Sequence, residues 1–578
     1  MNTINFQYYK STISNEQVKC NYNTIYHILK QPVDKNNIIN NNIYRDLEIF
    51  SGYNDNINHN LIDILDFTYT YSGKIKLHNM ISQPSDDIIF LYKRQLLLQI
   101  YEPKLNLLDS ILEKIKIYED DIIELWNTDK MDYLQNQLKL VYFQNQYLKF
   151  INNNRFLLGL YNIYRIVLSP IFTIISPLVF FVLPFVMVKL VYKFPISFVD
   201  YYRLLKLSWS NYSNFLPNSN SSHLFRYIGI SFWLFGYLQG MYNSYEISSN
   251  TLDICNKVYH KLHTIKELVN YAEKLQEICK LNNNTYSLSV CKNIIQDFSF
   301  SNSTIHYGKM LHIFHHVLIN KNAFINCLHI IGNVDCYISI IKLKNKYNYS
   351  YCQYIKNNTP IISAKHIYHP SFEENDTIIK NNIKIGNKKR TQNIIITGAN
   401  AGGKSTFIKS VAISILLSQT FTITPCSQFK ITPFSIINTY LNIPDDKCRN
   451  SLFQAELNRT IEHIQKVKSL KPSLHSLIIM DEIFSSTNPD DAVTGAYTLM
   501  NVLSQFNNNI TIFTTHFKKL TQLSETKPFI NYYFPIKKVK DKIVFLYKLK
   551  KGISTDSIAN ELIDSILKKI SINPVYIE

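Results

Sequence analysis

Thr397-Gly398-Ala399-Asn400-Ala401-Gly402-Gly403-Lys404-Ser405-Thr406 is a glycine-rich turn that ends in a lysine and two hydroxyls. Residues of these types at this spacing suit a phosphate chain. The glycines let successive backbone N–H groups converge on phosphate oxygens, Lys404 reaches the β- and γ-phosphates, and the Ser405 hydroxyl ligates Mg²⁺. Residues Gly398 to Thr406, including Ala399, Asn400, Ala401, Gly402 and Gly403, therefore form the expected cradle. Leu477-Ile478-Ile479-Met480-Asp481-Glu482 reads as a buried strand ending in two carboxylates. Asp481 is placed to help hold Mg²⁺, and Glu482 to orient and deprotonate an attacking water. A third apolar run, Ile510-Thr511-Ile512-Phe513-Thr514-Thr515, ends in His516, positioned to sense the γ-phosphate. The chemistry implied is hydrolysis of ATP with Mg²⁺.

Such groups need a scaffold that brings strand ends together. Ile394-Ile395-Ile396 before the cradle reads as a strand, and Phe407-Ile408-Lys409-Ser410-Val411-Ala412 after it as a helix whose N-terminus adds partial positive charge. Short apolar runs alternate with helical patterns over residues 346–565, the signature of an α/β nucleotide-binding domain, with a tail at 566–578. In open α/β sheets ligands bind at the carboxyl ends of the strands, which is where both acids and the histidine fall. Upstream, helical periodicity covers 59–155, as in Leu134, Leu138 and Val141, and returns over 246–345, as in Val258, Leu262, Ile265 and Leu268. Residues 1–58 are Asn-rich and weakly periodic, a lead-in that caps the chain or is partly ordered.

The segment 156–245 differs from everything around it. No charged residue occurs between Arg165 and Lys189, and Ile166–Val188 is long enough to cross a bilayer. A second uncharged run, Tyr227–Tyr245, carries Trp233 and several tyrosines of the kind found at interfaces. Pro170, Pro177 and Pro184 predict a kinked or broken first run. The alternative to membrane insertion is a pair of buried core helices. Between the runs, Lys189, Lys193, Arg203, Lys206 and Arg226 face one acid, Asp200. The positive-inside rule would keep this loop with the ATPase on the cytoplasmic side, which a simple two-span hairpin does not allow. A re-entrant or interfacial arrangement, folded back at Pro177, would resolve the conflict.

Composition restricts the classes further. The chain has 578 residues, 46% of them apolar, and a formal charge of +18. Lysine far outnumbers arginine among abundant Asn, Ile and Tyr, the usage of an AT-rich genome, so the charge is compatible with DNA or anionic lipid without demonstrating either. Nine cysteines without a C-x-x-C pair fit reduced thiols better than a disulfide framework or a zinc site. His306, His312, His315 and His316 have no Cys or carboxylate at ligand spacing and read as helix-face histidines. The N-terminus lacks the apolar core of a signal peptide.

The runs TGANAGGKSTF, Ser451-Leu452-Phe453-Gln454-Ala455-Glu456-Leu457, MDEIFSSTNPDDA and TTHF together resemble the ATPase domain of the MutS DNA mismatch-repair family. His369-Pro370 matches its entry motif, and Gly552-Ile553-Ser554-Thr555-Asp556-Ser557 its closing segment. Leu65 to Gly73 and Val334-Asp335 resemble the two ends of the family's helical core and lever. The resemblance implies an α/β P-loop ATPase domain of the ABC-like, MutS type, preceded by a mostly α-helical core and lever with an apolar, membrane-inserted helical insertion. It implies that Asn400 contacts the γ-phosphate and that Ser451 reaches ATP held by a second subunit, so the sites are composite and the protein a homodimer or a MutS-like heterodimer. Duplex DNA, held by its backbone, is the implied partner.

The departures matter equally. Too few residues precede the helical core for the family's mismatch-reading domain, and the one Phe-x-Glu, Phe372-Glu373-Glu374, falls in the ATPase lead-in as a coincidence. Apolar runs stand where a DNA clamp belongs, and Ile483-Phe484-Ser485-Ser486-Thr487-Asn488 replaces the repair enzymes' Gly-Arg-Gly turn. In this the chain is similar to divergent MutS-like proteins with transmembrane segments. Two readings stand: a DNA-binding MutS-type ATPase tethered to a membrane, or a membrane-anchored ATPase switch with no mismatch role. The expected location is a membrane with the ATPase facing the cytoplasm, otherwise cytoplasm or nucleus. An ABC transporter lacks its LSGGQ-type signature here, and a GTPase its Asn-Lys-x-Asp motif.

Overall fold

Five apolar runs become adjacent strands because each is buried on both faces. The computed structural model describes residues 42–50, 60–126, 136–211, 221–281, 285–372, 378–386, 392–441, 452–484, 488–539 and 542–554, with isolated positions between 23 and 39. Its central sheet runs, in spatial order, Lys550–Lys551, Phe529–Phe534, Asn393–Gly398, Asn509–Thr514, Ser476–Asp481 and Ile436–Tyr440. All neighbours pair parallel except the antiparallel edge strand Lys550–Lys551. Ile394–Ile396, Leu477–Met480 and Ile510–Phe513 are buried throughout, as two-sided parallel strands require. Register sets the site: Ile396 and Asp481 both pair with Thr514, so Gly398, Glu482 and His516 leave the sheet at one edge.

A second sheet, mixed in direction, orders Asn381–Ile385, Ile362–Ile367, Gln428–Ile431, Ser350–Tyr354 and Ile423–Thr424. Helix Lys404–Thr420 is buried at every residue from Ser410 to Thr420. The described part of the N-terminal lead-in is not a loose cap. Ile39 bridges Ile437 in parallel, the Asp46 carboxylate accepts from Thr439 Oγ1 at 2.8 Å, and Glu48 pairs with Lys409 of the P-loop helix at 2.7 Å.

By contact density the chain divides into two compact units: Met1–Ile117 with Glu277–Lys280 and Leu328–Glu578, and Tyr118–Gln276 with Leu281–Cys327. In the first, buried Asp335 on helix Lys321–Tyr347 accepts from Thr70 N at 2.8 Å and Thr70 Oγ1 at 2.7 Å, capping helix Tyr71–Ile81. Gly73 is required there, because a Cβ would overlap the Asp335 carboxylate.

The second unit contains the apolar segment, and here one expectation fails. The chain does not fold back at Pro177. An α-helix runs unbroken over Ser169–Val186, flanked by π-helical turns at Tyr164–Leu168 and Met187–Val191. Pro170 follows closely on the π-helical turn, and the carbonyl four residues before it, Ile166 O, accepts instead from Ser248 Oγ. The Thr173 carbonyl, freed by Pro177, accepts from Ser176 Oγ at 2.8 Å. The second run is not a separate span either, but the start of one helix, Ser221–Cys279. The two runs pair antiparallel: Ser248 Oγ donates to Ile166 O at 2.6 Å, Ser169 and Ser244 hydroxyls meet at 3.1 Å, and Tyr237 OH donates to Ile174 O at 2.9 Å. Helix Phe198–Asn211 folds against the far end, its Tyr201 OH on Phe181 O at 3.1 Å. Phe172, Leu178, Leu190, Phe232 and Phe235 each expose more than half their surface. The core-helix alternative thus does not describe this arm.

Helix Lys321–Tyr347 is also long and apolar enough to cross a bilayer, but it is mostly buried. No group of three or more His, Cys, Asp or Glu able to hold a metal occurs among the described residues. His312 instead bonds Asn153 O at 3.0 Å, and His306 bonds Ser303 at 2.8 Å.

Candidate nucleotide site

The P-loop helix starts at Lys404 with Gly403 as its cap, at φ 95° and with no capping side chain. Only glycine suits that conformation, and a Cβ there would press on the Tyr547 ring. The first-turn N–H groups of an α-helix have no intrahelical partners, so this uncapped start leaves donors for an anion. Ala401, at φ 61°, and the Gly402 N–H to Ala399 O bond of 3.1 Å shape the turn above them.

Lys404 is 4% exposed, and its Nζ donates to Gly398 O at 3.0 Å and Ala399 O at 3.2 Å. The same nitrogen lies 3.2 Å from Glu482 Oε1 and 3.3 Å from His516 Nε2. His516 Nε2 is 2.7 Å from Glu482 Oε1. A carboxylate only accepts, so that ring nitrogen carries the proton in this contact. The His516 hydrogen bond holds the Glu482 carboxyl below its ordinary range, Lys404 adds to the effect, and partial burial opposes both. Glu482 is therefore ionised at neutral pH.

Asp481 accepts from the Thr514 hydroxyl, while the Glu482 N–H donates to Thr514 O and Oγ1, both at 3.2 Å. Thr514 thus orients both acids, a role that its place in a strand did not reveal. The closing segment returns here as well, Ser554 N–H donating to Thr397 Oγ1 at 3.1 Å.

Asn400 to Phe407 and Glu482 line a cavity of about 670 Å³ together with Ile367, Tyr368, His369, Phe372, Ile378, Ile379 and Tyr547. Burial, helped by Lys409, pushes His369 down to about 4, so its ring is neutral. Phe372 belongs to this wall and not to any wedge. Tyr547 stacks with Phe545 at 6.0 Å, and its carbonyl accepts from Asn381 Nδ2 at 3.0 Å. No motif flags Tyr547, because it lies far along the chain in a lysine-rich stretch. The lining thus combines groups that suit a phosphate chain with rings that suit a flat aromatic base. Ser405 and Asp481 supply the hard oxygens that Mg²⁺ takes.

The structure brings Gly398 to Thr406, Asp481, Glu482 and His516 to one edge. Ser451 lies outside the described residues, as do Glu373, Glu374 and Thr555 to Ser557.

Residues 394–565 match the family model for MutS domain V. Over 231 residues the chain is 29% identical to the DNA mismatch repair protein MutS of Staphylococcus aureus strains JH9, Newman and JH1. The alignment covers 39% of this chain and 26% of each relative, so the chain spans about a quarter of the length of the curated relatives it matches.

Proposed function

We propose that this chain, which belongs to the MutS family through its C-terminal domain, is a Mg²⁺-dependent ATPase that works as a dimer with composite sites. One observation carries the reading: Lys404, Glu482 and His516 meet within 3.3 Å over an uncapped helix N-terminus. Mg²⁺ held by Ser405 and Asp481 would supply charge neutralisation for the phosphates. The cradle N–H groups and Lys404 hold the phosphate chain and keep it in line. Glu482 orients a water and takes its proton, while His516 fixes the carboxylate's position and registers the terminal phosphate. Ser451, from the partner subunit, completes the site, so nucleotide state controls how the dimer opens and closes.

The substrate of that switch is duplex DNA, held through its phosphates with little mismatch preference. The relatives named for DNA mismatch repair and the surplus of lysine support this. The arm supports a tether. Ile166–Val188 spans roughly 34 Å at about 1.5 Å per residue, and the hydrocarbon core is about 30 Å thick. Phe172, Ile174, Leu178 and Leu183 of this run are exposed, and the nearest charges, Arg165 and Lys189, flank its ends. The ATPase then faces the cytoplasm. The same arm favours the second reading, a membrane-anchored switch acting on something other than mismatches.

Detergent-extracted full-length protein, assayed for ATP turnover with and without chelator and for duplex binding at two salt concentrations, tests this. Turnover should need Mg²⁺, and log K should fall against log salt by about 0.9 per phosphate contacted. Turnover no higher than that of Lys404→Ala would overturn the ATPase. Salt-independent or absent DNA binding would leave the membrane switch, and a strong mismatch preference would contradict both readings.

A further inference from the structure

The turn that carries the proposed base is held from a second direction. Glu482 and Phe484 have left-handed backbones, at φ 49° and 63°, a conformation that persists in such residues only where the surroundings enforce it. Thr514 holds the near end of the turn through the Glu482 N–H. The far end is held by Glu456, whose Oε2 accepts from the Phe484 N–H at 2.7 Å. The Phe484 ring is fully buried among Ala492, Ala496 and Met480, and a Cβ on Gly495 would touch it. Backbone and side chain of Phe484 are thus both fixed, which leaves Glu482 one direction in which to enter the site.

Glu456 is itself buried and sits in the first turns of helix Leu452–Ser469, directly after Ser451. Burial raises its carboxyl, and because the contact is buried, loss of this acceptor would leave the Phe484 N–H unsatisfied. The same helix is tied to the last residue of strand Ile436–Tyr440 through Tyr440 OH and Arg459 O. Helix Leu452–Ser469 is therefore held at both Glu456 and Arg459, the first of these on the turn that carries Glu482.

We propose that Glu456 is a positioning residue for Glu482: by holding the Phe484 N–H it sets the angle at which the carboxylate enters the site. The proposal rests on the ATPase reading above.

The test uses full-length wild type, Glu456→Ala and Glu456→Gln, measuring affinity for a fluorescent ATP analogue, ATP turnover and melting temperature. Glu456→Ala should keep affinity within about threefold and lose about 10- to 100-fold in turnover, the scale of a misplaced catalytic group. Glu456→Gln keeps an oxygen for the Phe484 N–H and should retain most of the turnover. If Glu456→Ala does not fold, Glu456→Asp, shorter by one methylene, takes its place. In mixed dimers the loss should appear when the Glu456 substitution shares a subunit with the one intact P-loop, opposite a Lys404→Ala partner. Equal losses in affinity and turnover, failure of Glu456→Gln to rescue, or a loss confined to the partner's site would each overturn the proposal. Wild-type turnover with an unaffected Glu456→Ala overturns this proposal alone, whereas a wild type no faster than Lys404→Ala overturns the ATPase reading and this one with it.

Discussion

Lys404 Nζ lies 3.2 Å from Glu482 Oε1, so the proposed phosphate ligand and the proposed base form one ion pair within a single subunit. The two side chains nevertheless have different tasks. Lys404→Ala removes a phosphate ligand and should weaken nucleotide binding. Glu482→Gln should bind ATP and fail to turn it over, since a general base typically contributes about 10²- to 10⁴-fold. Filter binding and phosphate release on the two variants separate these outcomes, and near-normal turnover in Glu482→Gln would remove its assignment as base.

The pH dependence follows from the second contact of the same carboxylate. His516 and Lys404 depress the Glu482 carboxyl below its ordinary value. A depressed acid contributes stability that is present above its unfolded pKa and lost as pH falls through the folded one. The ionised base should accordingly persist to acid pH, and His516→Ala should move the acid limb of kcat/KM upward. A pH–rate profile whose acid limb is the same in both proteins would show that His516 does not tune the base.

The proposed composite sites can be tested by complementation. Lys404→Ala and Ser451→Ala homodimers should each be inactive. Mixed, they should recover one competent site per heterodimer. No recovery, with subunit exchange demonstrated by native mass spectrometry, would place Ser451 outside the site.

Stability of the helical core should depend on Asp335 and Gly73 together. Asp335→Ala leaves the buried Thr70 N–H and hydroxyl without their acceptor. An orphaned buried donor costs about 1–3 kcal/mol, so a loss of at least about 2 kcal/mol is expected in urea unfolding. Gly73→Ala, whose Cβ would overlap the same carboxylate, should lower the midpoint in the same direction. An unchanged midpoint in both would contradict this packing.

The membrane reading has a direct test. A charge at the centre of a membrane helix costs about 2.5–3.5 kcal/mol on insertion scales, and Ile166–Val188 has none. Full-length protein should pellet with membranes and resist alkaline carbonate. Replacing residues 156–245 by a short flexible turn should leave a soluble ATPase. An intact chain that stays in solution without detergent would rule out the tether and favour a DNA-encircling arm.

The nucleotide chemistry was legible in the sequence because its parts are local. A phosphate cradle needs contiguous residues from Gly398 to Thr406, and a strand end presents Asp481 and Glu482 side by side, so spacing alone displays them. The lack of charge between Arg165 and Lys189 was legible for the same reason. What spacing does not carry is any contact made across the fold. Parallel register, with Ile396 and Asp481 opposite the same Thr514, decided that the three motifs share one edge. Packing brought Tyr547 onto the cavity wall, Asp46 onto Thr439 and Glu456 onto the Phe484 amide, pairs separated by tens or hundreds of residues. The prolines were misread for a related reason. Their local preference is to break a helix, but Ser176 within the helix takes the Thr173 carbonyl, and Ser248 of the long partner helix Ser221–Cys279 takes the Ile166 carbonyl, so the helix stays whole. Local propensity is a preference of about one to three kcal/mol, and tertiary contacts of similar size override it wherever they are made.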